Sequence, residues 1–280
     1  MIQVHRGLPP QTLSQARDKH LPDAIATWLR HGHGRALRDT LTGYDVTNVR
    51  DTLYQRQHKK CAFCENRVGL ANQPIEHFRP RKGAWRNLPG QPREEDPNRY
   101  WWLTWEWENL LFSCSRCNST SRKGNYFPLA PHTLPLSPLS CTQPMEEDAL
   151  LLDPADPELV VHQHMRWQPL DRNMAQPRWE WTLRPRSPRG YATCMILQLE
   201  YRTDEVTDRY REVVWPRVRN EVYPPARDGD TPAACHAWDS AQRELISPLK
   251  PMTFATWCMF DELRRQDPVL QHISLPLSEL

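Results

Sequence analysis

The chain has 280 residues, 12 of them tryptophan, and a formal net charge of +2. This length suits one large domain or two small ones, and the near-neutral charge excludes a protein that is basic throughout. No run of about 18 apolar residues occurs and the N-terminus lacks an apolar signal core, so we expect a cytoplasmic protein without a membrane partner. In that compartment the eight cysteines should be reduced, which favours metal binding over disulfides for close pairs.

Residues 1–60 are predicted to form an N-terminal helical segment. Apolar side chains recur at helical spacing over residues 21–38 and 46–58. Asp23 and Thr47 stand near the starts of these stretches as candidate N-caps. The second helix would deliver the chain directly to a cysteine pair.

Residues 61–140 are predicted to form the functional core. A short strand is expected over residues 74–78, followed by a loop over residues 79–99 that is rich in Arg, Pro, Gly and Asn. A short polar helix, ended by Gly124, is expected after the second cysteine pair. Many Pro and Ser residues over 128–149 predict a linker, or a chain that wraps over the surface.

Residues 100–113, with the sequence YWWLTWEWENLLFS, are dense in aromatic side chains. Stacking on nucleic-acid bases is one use of such a cluster. Packing in a core is the other, and the tryptophans that share an alternating face favour it. Those tryptophans are Trp101, Trp105 and Trp107.

Residues 141–280 are predicted to contain short strands and then helices. The predicted strands cover residues 149–152, 159–167 and 179–183. The predicted helices cover residues 191–222, with a break near Pro216, and residues 254–265. The fold class is therefore α+β. Since this region carries no catalytic motif, we expect it to offer a docking surface for a partner.

Two close cysteine pairs predict a structural zinc site. They are Cys61-Ala-Phe-Cys64 and Cys114-Ser-Arg-Cys117. A two-residue spacer lets each pair chelate one tetrahedral ion, with the other pair arriving from elsewhere in the chain. A redox pair is the alternative for either motif. Four further cysteines are predicted to be ordinary thiols: Cys141, Cys194, Cys235 and Cys258.

His77 is a candidate general base, because imidazole titrates near neutral pH. It lies between the cysteine pairs, in Ile75-Glu76-His77-Phe78. A lone histidine is more often structural, so its surroundings must decide. The stretch from Lys59 to Lys123 holds twelve Lys and Arg residues against seven Asp and Glu. That local charge suits nucleic acid, although an ordinary solvated surface explains it equally well.

The motifs taken together resemble those of HNH endonucleases of the four-cysteine, ββα-metal type. The resemblance rests on the cysteine pairs, Glu76-His77, Asn109-Leu110, Asn118 and Lys123-Gly124. Four segments resemble, more narrowly, the HNH component of Septu-type anti-phage systems, which also occurs as a retron effector. They are IEHFRPR, YWWLTWEWENLL, CSRCNSTSRKG and FPL. ALLLDPADPE and RGYATCMILQL resemble the same family more weakly. The likeness is strong over residues 60–130 and moderate to about residue 200.

The resemblance implies a role for each motif residue. His77 would be the general base. Asn109 would pin the long loop and orient His77 through its side-chain amide. Asn118 and Glu76 would ligate a catalytic Mg²⁺ or Mn²⁺, while the four cysteines would hold Zn²⁺. The chain departs from the commoner pattern at Glu76, where Asp is usual, and at Asn118, where His is usual. An ion pair with a nearby arginine is the alternative for Glu76.

The resemblance also implies the partners. Nucleic acid would be the substrate, and basic residues are expected to contact its phosphates. Such contacts position the nucleic acid on the protein without selecting its base sequence. An ABC/SMC-like ATPase would be the sensor or regulator of the defence complex. The phosphate-binding candidates are Arg79, Arg81, Lys82 and Lys123.

Three other functions are compatible with parts of this pattern. A zinc-stabilised binding module without cleavage would need the cysteines but not His77. A zinc deaminase needs H-x-E before P-C-x-x-C, whereas here Glu76 precedes His77 and no proline precedes Cys114. A thiol oxidoreductase would contain no zinc.

Overall fold

A computed structural model describes residues 1, 3–71, 73–96, 100–139, 147–170 and 179–279. The chain divides into two compact units. The N-terminal unit comprises Gln3–Leu159 and Pro188–Gln198, and the C-terminal unit comprises Met1–Ile2, Val160–Ser187 and Leu199–Leu280. The three-part division predicted at residues 60 and 140 stays a prediction. Cys141 lies outside the described residues. None of the described helices combines the length and apolar character needed to cross a bilayer.

Three helices open the N-terminal unit: α1 (Gln11–His31), α2 (Arg35–Thr40) and α3 (Thr47–Arg56). The single helix predicted over residues 21–38 is therefore wrong in its bounds. The first helix starts ten residues earlier, directly after Pro10, and ends where Gly32 adopts a φ of 62°. The prediction over residues 46–58 is confirmed as α3, although the N-cap position is held by Val46 rather than Thr47.

Two small antiparallel ribbons follow. Strand β1 (Ile75–His77) pairs with β4 (Leu110–Phe112), so that Glu76 lies opposite Leu111 and His77 opposite Leu110. The loop predicted over residues 79–99 also contains β2 (Ala84–Trp85) and β3 (Glu95–Asp96), which pair with each other. Their side chains gave no alternating pattern long enough to indicate strands.

The aromatic stretch forms the core of this unit, as predicted. Trp101, Trp105 and Trp107 are 0%, 2% and 3% exposed. Their backbone is not a strand, however, because residues 101–103 and 107–109 form 3₁₀ turns. The indole nitrogens of Trp105 and Trp107 donate to the carbonyls of Thr42 and Gly7 at 2.8 Å in each case, which ties the stretch to the N-terminal segment.

The helix predicted after the second cysteine pair is wrong. Residues 115–125 form a series of turns, and Gly124 adopts a φ of 36°. The strand predicted over residues 149–152 is also wrong, since only an isolated bridge between Leu129 and Ala149 occurs there. Helix α5 (Pro188–Leu197) completes the unit, because the Thr193 hydroxyl accepts the Leu152 N–H at 2.9 Å.

The C-terminal unit packs helices on a hairpin. Strands β5 (Met165–Pro169) and β6 (Trp181–Pro185) pair antiparallel, and a short helix α4 (Val161–His164) precedes them. The strand predicted over 179–183 is confirmed with its bounds displaced by two residues, whereas the one predicted over 159–167 is wrong over residues 161–164, which form α4. The buried Trp181 contacts Tyr210 at 5.3 Å between ring centroids.

The long helix predicted over residues 191–222 is divided by Gln198, whose φ is 49°. Beyond a 3₁₀ turn it continues as α6 (Thr203–Arg209), α7 (Trp215–Arg217) and α8 (Tyr223–Arg227). Wide π-helical turns at Tyr210–Val214 and Val218–Val222 flank Pro216, which lacks the N–H that an α-helix requires.

Two helices end the chain, α9 (Thr231–Leu245) and α10 (Thr253–Gln266). The second confirms the prediction over residues 254–265. The first was missed, although Asp230 caps it by accepting the Ala233 N–H at 3.0 Å and Pro232 follows at the second helical position.

Candidate metal centre and active site

The four predicted zinc ligands meet at one buried point. The Sγ atoms of Cys61, Cys64, Cys114 and Cys117 all lie within 4.8 Å of one another. A tetrahedral ion with Zn–S bonds of ~2.3 Å requires sulfur–sulfur distances of ~3.8 Å. The Cys64 and Cys114 sulfurs are 3.8 Å apart, and the Cys117 N–H points at the Cys114 sulfur at 3.4 Å. The donor set therefore fits a structural metal ion such as zinc.

The thiols of this group perturb one another strongly. Burial raises the pKa of Cys61, and hydrogen bonds from neighbouring thiols lower the pKa of Cys64 and Cys114. Contacts with the same neighbours raise the pKa of Cys117. Four thiolates this close repel one another, and a divalent cation between them removes that repulsion.

The remaining described cysteines are not part of any such group. Cys194 and Cys258 are buried, and Cys235 is half-buried. Burial raises the pKa of Cys258 to about 12. This thiol therefore stays protonated at neutral pH and behaves as a small apolar side chain.

Strand β4 connects the cysteine group to the ribbon. Its last residue, Phe112, accepts the Ala62 N–H at 3.1 Å. The Gln57 side chain accepts the Phe112 N–H at 2.8 Å and donates to the Phe112 carbonyl at 2.7 Å. The Ser113 hydroxyl lies 3.7 Å from the Cys61 sulfur. Metal binding at the cysteines would therefore hold β4, and with it the partner strand β1, in place.

Glu76 points into the protein and forms an ion pair with Lys123. The distance from Lys123 Nζ to Glu76 Oε1 is 3.2 Å, and the two side chains are 0% and 3% exposed respectively. Burial raises the pKa of Glu76 to about 7, against the opposing effect of the lysine charge. Burial likewise lowers the pKa of Lys123. Glu76 thus forms the ion pair that was expected as the alternative to metal binding, although with a lysine rather than an arginine.

His77 is buried and held in one tautomer. Its Nε2 lies 3.0 Å from the Thr104 carbonyl oxygen, which can only accept, so Nε2 carries the hydrogen and Nδ1 keeps a lone pair. The Tyr44 ring packs edge-on at 4.7 Å between centroids. Burial, and then the charge of Arg81, lower the pKa of His77 to about 3. The ring is therefore neutral at pH 7.

Asn109 joins the two ends of the segment between the ribbon strands. Its Oδ1 accepts the Arg79 N–H at 2.7 Å, and its Nδ2 donates to the carbonyls of Arg79 and Leu103 at 3.1 Å each. Leu103 precedes Thr104, the residue that holds His77. The amide of Asn109 therefore stabilises the backbone on both sides of His77.

Asn118 lies beside the cysteine group and is half-buried. Its backbone N–H donates to the Cys114 carbonyl at 3.0 Å. Within the described residues, no hydrogen bond joins its side chain to Glu76 or His77. The described residues also contain no second group of three or more Cys, His, Asp and Glu side chains close enough to hold a metal ion.

The four basic candidates differ in exposure. Arg79 is buried and bonds to Glu147 at 2.8 Å, and Lys123 is enclosed with Glu76. Arg81 is half-buried and Lys82 is exposed. Arg81 donates to the Tyr44 hydroxyl at 2.7 Å, with its guanidinium 4.4 Å from that ring.

Three contributors to this region were missed from the sequence: Tyr44, Thr104 and Glu147. Tyr44 comes from the loop before α3, and Thr104 acts through its carbonyl, which no side-chain pattern can reveal. Glu147 lies in the stretch predicted as a linker, yet it is 5% exposed and accepts the Leu136 N–H at 3.0 Å. Its Oε1 also accepts a hydrogen bond from Tyr100.

These features define an α+β protein with a buried four-cysteine group that could hold a metal ion, beside a ribbon that carries a buried neutral histidine. No family model matches the chain, and no solved structure matches it. Over 120 residues the chain is 33% identical to Septu protein PtuB of Bacillus mycoides (strain KBAB4). The match covers 42% of this chain and 39% of that relative, so it spans about two fifths of the relative's length. It supports a Septu-like relationship.

Proposed function

We propose that this chain is an HNH endonuclease that hydrolyses phosphodiester bonds of nucleic acid and acts as the effector of an anti-phage defence system. The observation that carries the proposal is the state of His77. Its Nε2–H is committed to the Thr104 carbonyl at 3.0 Å, so Nδ1 is the atom left to accept a proton. A fixed ring with an available lone pair is the geometry that a general base needs, although the pKa of about 3 makes His77 a weaker proton acceptor than a free imidazole.

In the proposed reaction, His77 Nδ1 takes a proton from the attacking water. The water oxygen then bonds to phosphorus as the bond from phosphorus to the leaving 3′ oxygen breaks. Asn109 keeps the imidazole in place through the backbone of Leu103 and Arg79. The charges of Arg81 and Lys82 suit contact with neighbouring phosphates, since both lie at or near the surface.

The residues implied for a catalytic Mg²⁺ or Mn²⁺ are Asn118 and Glu76. Their oxygens are the hard donors that such ions prefer. When bound, the ion would neutralise charge on the phosphate and on the leaving oxygen. The Glu76 carboxylate already forms an ion pair with Lys123, at 3.2 Å. A divalent ion that binds through Glu76 would therefore have to displace the lysine ammonium.

The test compares cleavage by the wild-type protein, His77→Gln and His236→Ala. Glutamine can still donate to the Thr104 carbonyl but cannot act as a base, whereas His236 is an exposed histidine of α9. Each protein is incubated with double- and single-stranded DNA and with RNA, in Mg²⁺, Mn²⁺ or EDTA. We expect cleavage by the wild type and His236→Ala only, and only with a divalent ion. Equal behaviour of all three proteins in every condition would end the proposal.

The same assay includes the partner expected of a Septu-type effector. We propose an ABC/SMC-like ATPase, encoded beside this chain, as sensor or regulator. The assays are therefore run with and without that neighbour and ATP. Cleavage that depends on the neighbour supports regulation by it, and an identical rate in its absence argues against such control.

A second candidate is a zinc-stabilised module that binds nucleic acid or protein without cleaving it. The enclosed Glu76–Lys123 ion pair favours this candidate, because a carboxylate neutralised by lysine is a poor metal ligand. It predicts binding that survives His77→Gln unchanged, with no cleavage in any condition.

A further inference from the structure

A small basic pocket lies in the N-terminal unit, on the side of α2. Its volume is about 340 Å³, at the lower end of the ~300–1,000 Å³ that ligand pockets commonly enclose. That size suits a single nucleotide better than a larger ligand. The lining residues are His33, Gly34, Leu37, Arg38, Leu41, Arg81 and Trp101.

The charge of the pocket has one sign. Arg38 and Arg81 line it, no carboxylate does, and Lys82 lies close enough that both guanidiniums lower its pKa. None of these three side chains forms an ion pair with a carboxylate of the described chain. Another cavity of this unit, about 890 Å³, is lined by three arginines and by several carboxylates, among them Glu106, Glu108 and Asp153. Of these two cavities, the small one has the lining that better suits an anion.

Leu37, Leu41 and Trp101 close the base of the pocket and are 3%, 2% and 0% exposed. The indole of Trp101 is completely buried, and its Nε1–H has no hydrogen-bond partner among the residues that the structure describes. The accessible charged groups of the pocket are the guanidiniums of Arg38 and Arg81, which suit the phosphate of a nucleotide.

A continuous set of contacts links this pocket to His77. Arg81 donates to the Leu41 carbonyl at 3.1 Å and to the Tyr44 hydroxyl at 2.7 Å. The Tyr44 ring in turn lies 4.7 Å from the His77 ring. A ligand in the pocket is thus separated from His77 by two side chains.

We propose that this pocket binds one nucleotide of a nucleic-acid strand, with Arg38 and Arg81 on its phosphate, and thereby positions the neighbouring phosphodiester at His77. The assignment deepens the proposed function, on which its link to His77 rests. It gives Arg38, in α2, a role in binding the substrate.

The test is a binding titration in EDTA, where no hydrolysis occurs. Fluorescence anisotropy with labelled single-stranded DNA and RNA oligonucleotides is measured for the wild type and Arg38→Gln. The control is Arg35→Gln, which removes the same charge from the same helix, at a side chain that is 92% exposed and outside the pocket. Lys82→Gln, at an exposed neighbour, is a second variant with the same expected direction.

We expect Arg38→Gln to weaken binding about tenfold and to reduce the slope of log affinity against log salt by about 1, as for the loss of one phosphate contact. Arg35→Gln should change neither quantity appreciably. Equal effects of Arg38→Gln and Arg35→Gln would overturn the proposal, because they would indicate net charge alone.

A second arm separates a strand from a free nucleotide, since both present a phosphate. AMP and inorganic phosphate are titrated against the same proteins. Oligonucleotide binding that depends on Arg38, with AMP much weaker, supports the strand. AMP binding that depends on Arg38, with oligonucleotide binding unaffected, overturns it. If Arg38-dependent binding persists but the wild type never cleaves, the pocket stands and the nuclease proposal fails.

Discussion

Lys123 and Glu76 form an ion pair in which both charged groups are removed from solvent. The ammonium lies 3.2 Å from the carboxylate, and Nζ is also 3.4 Å from the carbonyls of His77 and Gly124. The pair therefore fastens the turns after the second cysteine pair to strand β1. It connects the part of the chain that carries Asn118 with the strand that carries His77.

Replacing one member of this ion pair should destabilise the protein more than replacing both members. Lys123→Met leaves a buried carboxylate without its partner, which we expect to cost about 3 kcal/mol of unfolding free energy. The double variant Glu76→Gln/Lys123→Met should recover at least half of that loss. Chemical denaturation measures both, and Lys19→Met, at an exposed position of α1, is the control. A double variant no more stable than Lys123→Met would contradict the expectation.

The sequence predicted the metal centre better than the surroundings of the candidate active site. A Cys-x-x-Cys pair is a local pattern that places two thiols where they can bind the same metal ion, so both pairs could be identified from the sequence. The partner of Glu76 depends instead on a turn 47 residues away in sequence, and His77 is held by the backbone carbonyl of Thr104. Backbone carbonyls carry no side-chain signal, and such contacts follow only from the folded arrangement.

The helices and strands likewise divide into those that the sequence predicted and those that it did not. Helix α10 was predicted from its apolar face, because a long periodic pattern is informative. Strands β2 and β3 have two residues each, which is too short for any alternation. The 3₁₀ turns at residues 101–103 and 107–109 were not predicted, because the alternating tryptophans indicated burial without fixing the backbone conformation.

Asn109 and Asn118 should respond differently to removal of their side-chain amides. Asn109→Leu removes three hydrogen bonds to the buried backbone, one from the Arg79 N–H and two to the carbonyls of Arg79 and Leu103, and we expect a loss of about 3 kcal/mol. Asn118→Ala removes a half-buried amide with no hydrogen bond to the described site residues and should cost less than about 1 kcal/mol. Under the proposed function Asn118→Ala nevertheless abolishes cleavage. Thermal melts and the cleavage assay together separate these roles, and equal destabilisation by the two variants would argue against them.

The four-cysteine group should bind about one zinc per chain and contribute to folding. Cys61→Ser and Cys114→Ser each remove one ligand, and we expect both to lose zinc and to unfold or precipitate, because metal binding energy is folding energy at such a site. Cys235→Ser, at a half-buried cysteine of α9, should keep zinc and stability. Metal analysis and thermal melts provide the measurements. A wild-type protein without zinc would favour a thiol redox function instead.

Asp261 should make the stability of the C-terminal unit depend on pH in the acid range. Burial alone would raise the pKa of this carboxyl, but Arg166 and then Arg265 and Arg264 hold it below its ordinary value. A lowered pKa means that the folded state releases this proton more readily than the unfolded state. The resulting stabilisation is therefore present above the unfolded pKa of about 3.9 and is lost as the pH falls through the folded value.

Asp261→Asn is the variant that tests this dependence. At pH 7 it leaves the buried Arg166 with only Glu262, at 2.8 Å, and we expect a loss of about 3 kcal/mol. The difference from the wild type should shrink as the pH is lowered below about 4, because the wild-type carboxyl then becomes protonated as well. Urea denaturation followed by tryptophan fluorescence at several pH values measures it, with Asp208→Asn, at an exposed position of α6, as the control. A difference that stays constant down to pH 2 would show that the charge of Asp261 is not the source of the stabilisation.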